Sequence, residues 1–234
     1  MTTPPSLNVF LFGIYPYLCL TILLLGSLVR FDREPYSWKS DSSQILRNRQ
    51  LALGSNLFHY GVLVVIAGHF VGFLMPEPMV MWLMSPTQHQ LLAMVVGGIA
   101  GVIALVGILI LTHRRFADQR VRANSRKWDL AILLMLLLQL ALGVLTVPYS
   151  AQDMSGAHFE ILVAYVQGVV TLRPDPALLQ GTPWVYQVHI LLGFTIFLVS
   201  PFTRMVHIWS GLASIVFLIR PYQLVRSRKW SLRK

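Results

Sequence analysis

The sequence predicts an all-α integral membrane bundle of five transmembrane helices, with the amino terminus periplasmic and the carboxyl terminus cytoplasmic. Three observations carry this. Of 234 residues, 55% are hydrophobic and only 12% are charged, and the mean hydropathy is +0.63, too apolar for a soluble domain of this size. Five segments reach or approach the ~20 apolar residues that cross ~30 Å of hydrocarbon: 7–29, 51–74, 90–112, 129–148 and 185–210. Finally, the links between them alternate in charge.

The first span begins without a positive charge ahead of it or a small-residue cleavage site after it, so it is expected to remain as a span rather than leave as a signal peptide. Pro16 interrupts it, which predicts a kink whose freed carbonyl needs a partner within the bundle. Arg30, Arg33, Lys39, Arg47 and Arg49 lie between spans one and two. Arg114, Arg115, Arg120, Arg122, Arg126 and Lys127 lie between spans three and four, and Arg220, Arg226, Arg228, Lys229, Arg233 and Lys234 follow span five. The 75–89 link has no Lys or Arg and the 149–184 link has only Arg173. Positive charge stays in the cytoplasm, which sets the orientation. The same sorting accounts for the net charge of +10. No basic patch interleaved with aromatics on a soluble domain points to nucleic acid.

The third span carries Gly97, Gly98, Gly101 and Gly107, which read as small residues for close helix approach or as the flank of a cofactor. In the 149–184 link, Phe159, Leu162, Val163, Val166, Val169 and Val170 recur at helical spacing. They predict a short amphipathic helix on the outer membrane face or a lid packed over the bundle. The single cysteine, Cys19, excludes an intrachain disulfide and an iron–sulfur cluster held by this chain alone.

Four histidines lie inside spans: His59 and His69 on the second, His189 and His207 on the fifth. A single intramembrane histidine reads first as a hydrogen bond to a neighbouring helix. Two antiparallel spans, however, place His69 with His189 near the outer face and His59 with His207 near the inner one. Facing imidazoles are what bis-histidine haem ligation needs, one on each side of the iron. Zinc or copper asks for three or four ligands at one depth. On the fifth span the 18 residues from His189 to His207 make five turns, so both rings are expected to leave one face about 27 Å apart. The ten residues from His59 to His69 rise only about 15 Å and rotate the rings by about 80°, so the haems are expected about 20 Å apart and not parallel.

Several stretches together resemble the gamma subunit of membrane-bound respiratory nitrate reductase, a cytochrome b. They are IYPYL at 14–18, the run from Arg30 through SSQIL at 42–46, SNLFHYG at 55–61, GHFVG at 68–72, RVRA at 120–123, SAQDMSG at 150–156, PFTRMVHIWS at 201–210 and YQLVRSR at 222–228. The resemblance implies a five-helix, two-haem-b domain over 1–211 and a basic cytoplasmic tail, 212–234, that docks on the partner. It implies an iron–sulfur beta subunit and a molybdenum-containing alpha subunit as partners, in a bacterial or archaeal inner membrane. The family's axial ligands match His69 and His189 for the outer haem and His59 and His207 for the inner one. Relatives carry a basic residue beside the outer haem at the position of His89, so His89 is the candidate for the quinol site, with menaquinol or ubiquinol as donor. Arg204 and Arg30 are candidates for the propionates of the inner haem, because a buried carboxylate needs a cation; snorkelling to headgroups is their other reading. The implied activity is quinol:nitrate oxidoreductase. The competing readings are the diheme cytochrome b of a sulfite- or disulfide-reducing complex and a haem-free transporter or membrane anchor, the transporter being disfavoured because no inverted repeat is evident.

Overall fold

The computed structural model describes residues 5–34, 48–123, 125 and 127–208. Lys39, Arg47 and Arg126 of the basic links, and everything after Ile208 including the 212–234 tail, lie outside the described residues. Among those described there is no strand. Five helices are long and apolar enough to cross a membrane: Ser6–Arg33, Arg49–Leu74, Pro86–Ala117, Lys127–Ser150 and Trp184–Phe202. Each expected span is present, and the protein is a multi-pass inner-membrane protein.

The spans pack in the order two, three, four, five, one. This row leaves spans two and five facing each other rather than packed side by side. The closest approach is between spans two and three. A Cβ at Gly61 would stand 2.6 Å from both the carbonyl oxygen of Ala100 and the nitrogen of Ala104, so the missing side chain is what lets the two backbones touch. Gly107 lies equally hard against Phe58 and Gly54. Of the other glycines in the third span, Gly98 and Gly101 meet Val147 and Val144 of the fourth, while Gly97 faces open space.

Both prolines at span irregularities are answered by a hydroxyl. Pro16 has no N–H to give the carbonyl four residues back, Phe12. There the first span widens into a π turn over Phe10–Ile14, and the Tyr165 hydroxyl donates to Phe12 O at 2.9 Å. Burial pushes the Tyr165 phenol well above its ordinary range, so it stays a donor. Pro201 likewise releases Phe197, whose carbonyl accepts from Ser200 Oγ at 3.0 Å.

The second proline corrects the expectation of one helix from 185 to 210. The α-helix covers Trp184–Val199, followed by 3-10 turns at Ser200–Phe202 and Arg204–Val206. Thr203 between them is extended, with φ −120° and ψ −177°. His189 and His207 therefore do not share one helical face, because Pro201 cannot continue the ladder and the chain changes direction. The orphaned carbonyls of Pro201 and Thr203 both accept from Arg30 Nη1, at 2.6 and 2.8 Å.

The third span starts four residues earlier than hydropathy suggests. Ser85 caps it reciprocally with Gln88, the Ser85 hydroxyl accepting from Gln88 N at 3.3 Å and Gln88 Oε1 from Ser85 N at 2.9 Å. This places His89 inside the helix. In the long link, Ala157–Val170 is helical as expected. It is a lid: Leu162, Tyr165 and Val169 are buried with Phe12, Leu179 and Tyr186. Gly156 starts it with φ +89°, and a Cβ there would fall 2.6 Å from Pro86 Cβ, so this corner needs glycine.

Candidate functional site

The four intramembrane histidines meet in the pairs expected. His69 faces His189 and His59 faces His207, each pair with ring centroids 6.3 Å apart. An imidazole nitrogen binds a first-row metal at about 2 Å, and a five-membered ring's centre lies roughly 1 Å behind that nitrogen. Two rings ligating one metal from opposite sides thus have centroids about 6 Å apart, which both pairs satisfy. The interplanar angles are 41° for the first pair and 67° for the second. Among the described residues, no three His, Cys, Asp or Glu gather as a metal cage, so each pair offers two axial donors and no more.

Three of the four rings are oriented by main chain. Nδ1 lies 2.7 Å from Ser55 O in His59, 2.8 Å from Val65 O in His69 and 2.7 Å from Arg204 O in His207. A carbonyl only accepts, so Nδ1 carries the hydrogen and Nε2 keeps its lone pair for a ligand. His59 and His69 are exposed on the second span. Polar rings facing hydrocarbon are costly, and a flat apolar macrocycle between spans two and five would cover them. On these grounds the residues fit haem.

The two ends differ around this core. Beside His69, aromatic rings run in contact toward the link: His69 to Phe73 at 5.4 Å, Phe73 to Phe159 at 5.7 Å and Phe159 to His89 at 4.7 Å. They end at a cavity of about 190 Å³ lined by His89, Phe159, Glu160, Met75, Pro86 and Gln167. His89, the sequence candidate, is thus at the cavity, while Glu160 was not foreseen from sequence; as a lone acid in an apolar helix it carried the only available signal. At the opposite end Arg204 Nε donates to Asp129 Oδ1 at 3.1 Å, and Arg30 clasps the broken fifth span. Both propionate candidates therefore sit at the His59–His207 end but already hold protein partners. Arg114 is buried there as well. Gln139 of the fourth span, which reaches His189, was also missed by sequence reasoning, since one glutamine in an apolar span has no periodic signature.

Comparison with known proteins identifies the family. The family model for the nitrate reductase gamma subunit matches residues 8–228. The chain is 46% identical over 224 residues to the respiratory nitrate reductase 2 gamma chain of Escherichia coli, covering 95% of this chain and 98% of that one. It is 36% identical over 220 residues to the nitrate reductase gamma chain of Bacillus subtilis, covering 93% and 97%. A shorter likeness, 28% over 162 residues, covers 68% of this chain and 47% of the Hdr-like menaquinol oxidoreductase cytochrome b-like subunit of Archaeoglobus profundus. By its five spans, the order of its motifs and its full-length likeness to these chains, the protein belongs to the nitrate reductase gamma subunit family.

Proposed function

We propose that this chain oxidises quinol near the periplasmic face and carries the electrons inward to a cytoplasmic nitrate reductase. The observation that carries the reading is the two histidine pairs, stacked at two depths on facing spans, each at the separation of axial ligands to one metal. In this reading His69 and His189 hold an outer haem b, His59 and His207 hold an inner one, and the pair supplies one-electron transfer across the bilayer. The basic end, with Arg30, Arg114, Arg115 and Arg204, supports this orientation, since positive charge stays on the cytoplasmic side. Residues 1–211 are the membrane domain, and the 212–234 tail docks on the iron–sulfur beta subunit, with the molybdenum-containing alpha subunit beyond it.

The chain's own residues divide the work. The cavity beside His89 admits the ring of menaquinol or ubiquinol from the membrane; the archaeal relative's name, a menaquinol oxidoreductase, favours a quinol donor. His89 accepts one hydroxyl proton and Glu160, lining the same cavity, accepts the other, both at the outer end. Phe159 and Phe73 fill the space between substrate and His69, excluding water. At the inner end Arg204 and Arg30 provide the positive potential that orients haem propionates, Asp129 and the carbonyls of the fifth-span break holding the two guanidiniums in place. Moving an electron inward against an inside-negative potential costs about 2.3 kcal/mol for each 100 mV, so the route conserves energy.

The test uses membranes containing the complex. Quinol is added, the b-type absorbance is recorded, then nitrate. Two haems that reduce and are promptly reoxidised support the path. Haems that stay reduced in nitrate move the terminal acceptor to another oxidant, and absent haem bands overturn the ligand assignment. His89→Leu leaves the haem spectrum intact and slows quinol-driven reduction; an unchanged rate removes His89 from the site.

A further inference from the structure

Of the four histidines in the two facing pairs, His189 alone has a ring that is not oriented by main chain. Its Nδ1 is buried without a hydrogen-bond partner, whereas the other three each point Nδ1 at a carbonyl. What lies beside it is Gln139. The Gln139 amide nitrogen donates to the His189 main-chain oxygen at 3.1 Å and stands 3.4 Å from the ring Nε2. The Gln139 amide oxygen is also buried without a partner. The two orphans are complementary, a ring nitrogen that can carry hydrogen and an amide oxygen, and they belong to the two groups that meet at 3.4 Å. Nδ1 is one ring carbon from the nitrogen that Gln139 approaches, and the amide oxygen is one carbon from the nitrogen that approaches it.

Gly143, one turn along the fourth span from Gln139, lies so close that a Cβ there would be 3.1 Å from His189 Cε1, so the ring packs its Cε1 corner against that span. A buried Nδ1–H without an acceptor is costly. Bringing the amide oxygen to Nδ1–H takes rotation about the terminal amide torsion and the ring torsion, both broad, and that rotation withdraws the amide nitrogen from Nε2.

We propose that Gln139 is the positioning residue of His189: its amide oxygen accepts from Nδ1–H, fixes the ring's tautomer and sets the donor strength of this one ligand. This rests on the bis-histidine reading. A ligating histidine becomes a stronger donor as its second nitrogen is bonded to a better acceptor. The haem held by His69 and His189 is then tuned by a side chain of a third span, independently of the haem held by His59 and His207.

The test is a redox titration with low-spin haem EPR on the assembled complex. Gln139→Met, close in size and without a strong acceptor, raises the midpoint potential of the outer haem and shifts or broadens its low-field g-value, leaving the inner haem at parental values. Gln139→Glu, with a better acceptor, moves the same haem downward, so the inference remains testable if the Met variant assembles poorly. Parental potential and g-value for the outer haem in both variants overturns the role of Gln139, as does an equal shift of both haems. Failure of the underlying reading shows differently: parental membranes with no b-type haem, or His189→Ala retaining both.

Discussion

The two ends of the bundle solve the same problem, holding a histidine pair at membrane depth, with opposite materials. Near the long link, the His69–His189 pair is bounded by rings and an amide: Phe73, Phe159 and Gln139, with a cavity opening beyond them. At the other end the His59–His207 pair stands beside the Arg204–Asp129 pair, a buried Arg114 and the Arg30 clasp. An apolar wall with few polar groups suits a lipid-soluble ring, as small-molecule sites generally do. Fixed charge suits propionates and a soluble partner, for which a low-dielectric surround makes each cation count. Geometry alone, identical at 6.3 Å in both pairs, does not separate the roles; the surroundings do.

The largest expected effect tests whether the two ends are independent. His189→Ala should remove the outer haem and His207→Ala the inner one, each leaving about half of the b-type absorbance on a two-site reading; loss of all absorbance from either variant would show that the pairs stand or fall together. Asp129→Asn strips the carboxylate from Arg204 and acts on the basic end only. Since Asp129 is nearly buried and the Arg204 side chain is 28% exposed, the cost should fall at or below about 3 kcal/mol, the low end for breaking a buried pair. Thermal inactivation monitored at the inner haem measures it.

Tyr165→Phe acts only on the link end. It leaves Phe12 O without its donor, at about 1–2 kcal/mol, and should appear as earlier release of the lid in limited proteolysis. The smallest effect is a pH dependence. The backbone N–H of Ser155 first, then the Ser155 and His158 side chains, hold the Asp153 carboxyl below its ordinary value. A depressed folded pKa means that this stabilisation is complete above the ordinary carboxylate range and is lost as pH falls through the folded value. Hydrogen-exchange protection factors in 150–156, which are corrected for the intrinsic pH dependence of exchange, should therefore fall on acidification.

What could be read from sequence divides along the same physical line. Hydropathy located all five spans, since length and apolarity are local properties, and the histidines stood out because polar groups in such segments are rare. The fifth span was misread because Pro201 in an apolar run is compatible with either a kink or a break; what decides is Arg30, 171 residues away, taking the freed carbonyls. The true start of the third span was hidden because Ser85 to Gln90 is polar and its helix depends on a cap rather than on hydropathy. Gln139 and Glu160 acquire meaning only from neighbours on other spans. Orientation of the termini and docking of the tail rest on charge and resemblance alone and belong to the proposal.

The bond from Tyr165 to Phe12 has a consequence for biogenesis. The first span leaves the ribosome with its widened turn and with a carbonyl that Pro16 cannot serve, and the donor that completes it is translated 153 residues later. Until then the carbonyl lacks the partner it has in the finished fold, the same loss put at about 1–2 kcal/mol for Tyr165→Phe, so docking of the lid strengthens the seating of the first span as well as walling the cavity.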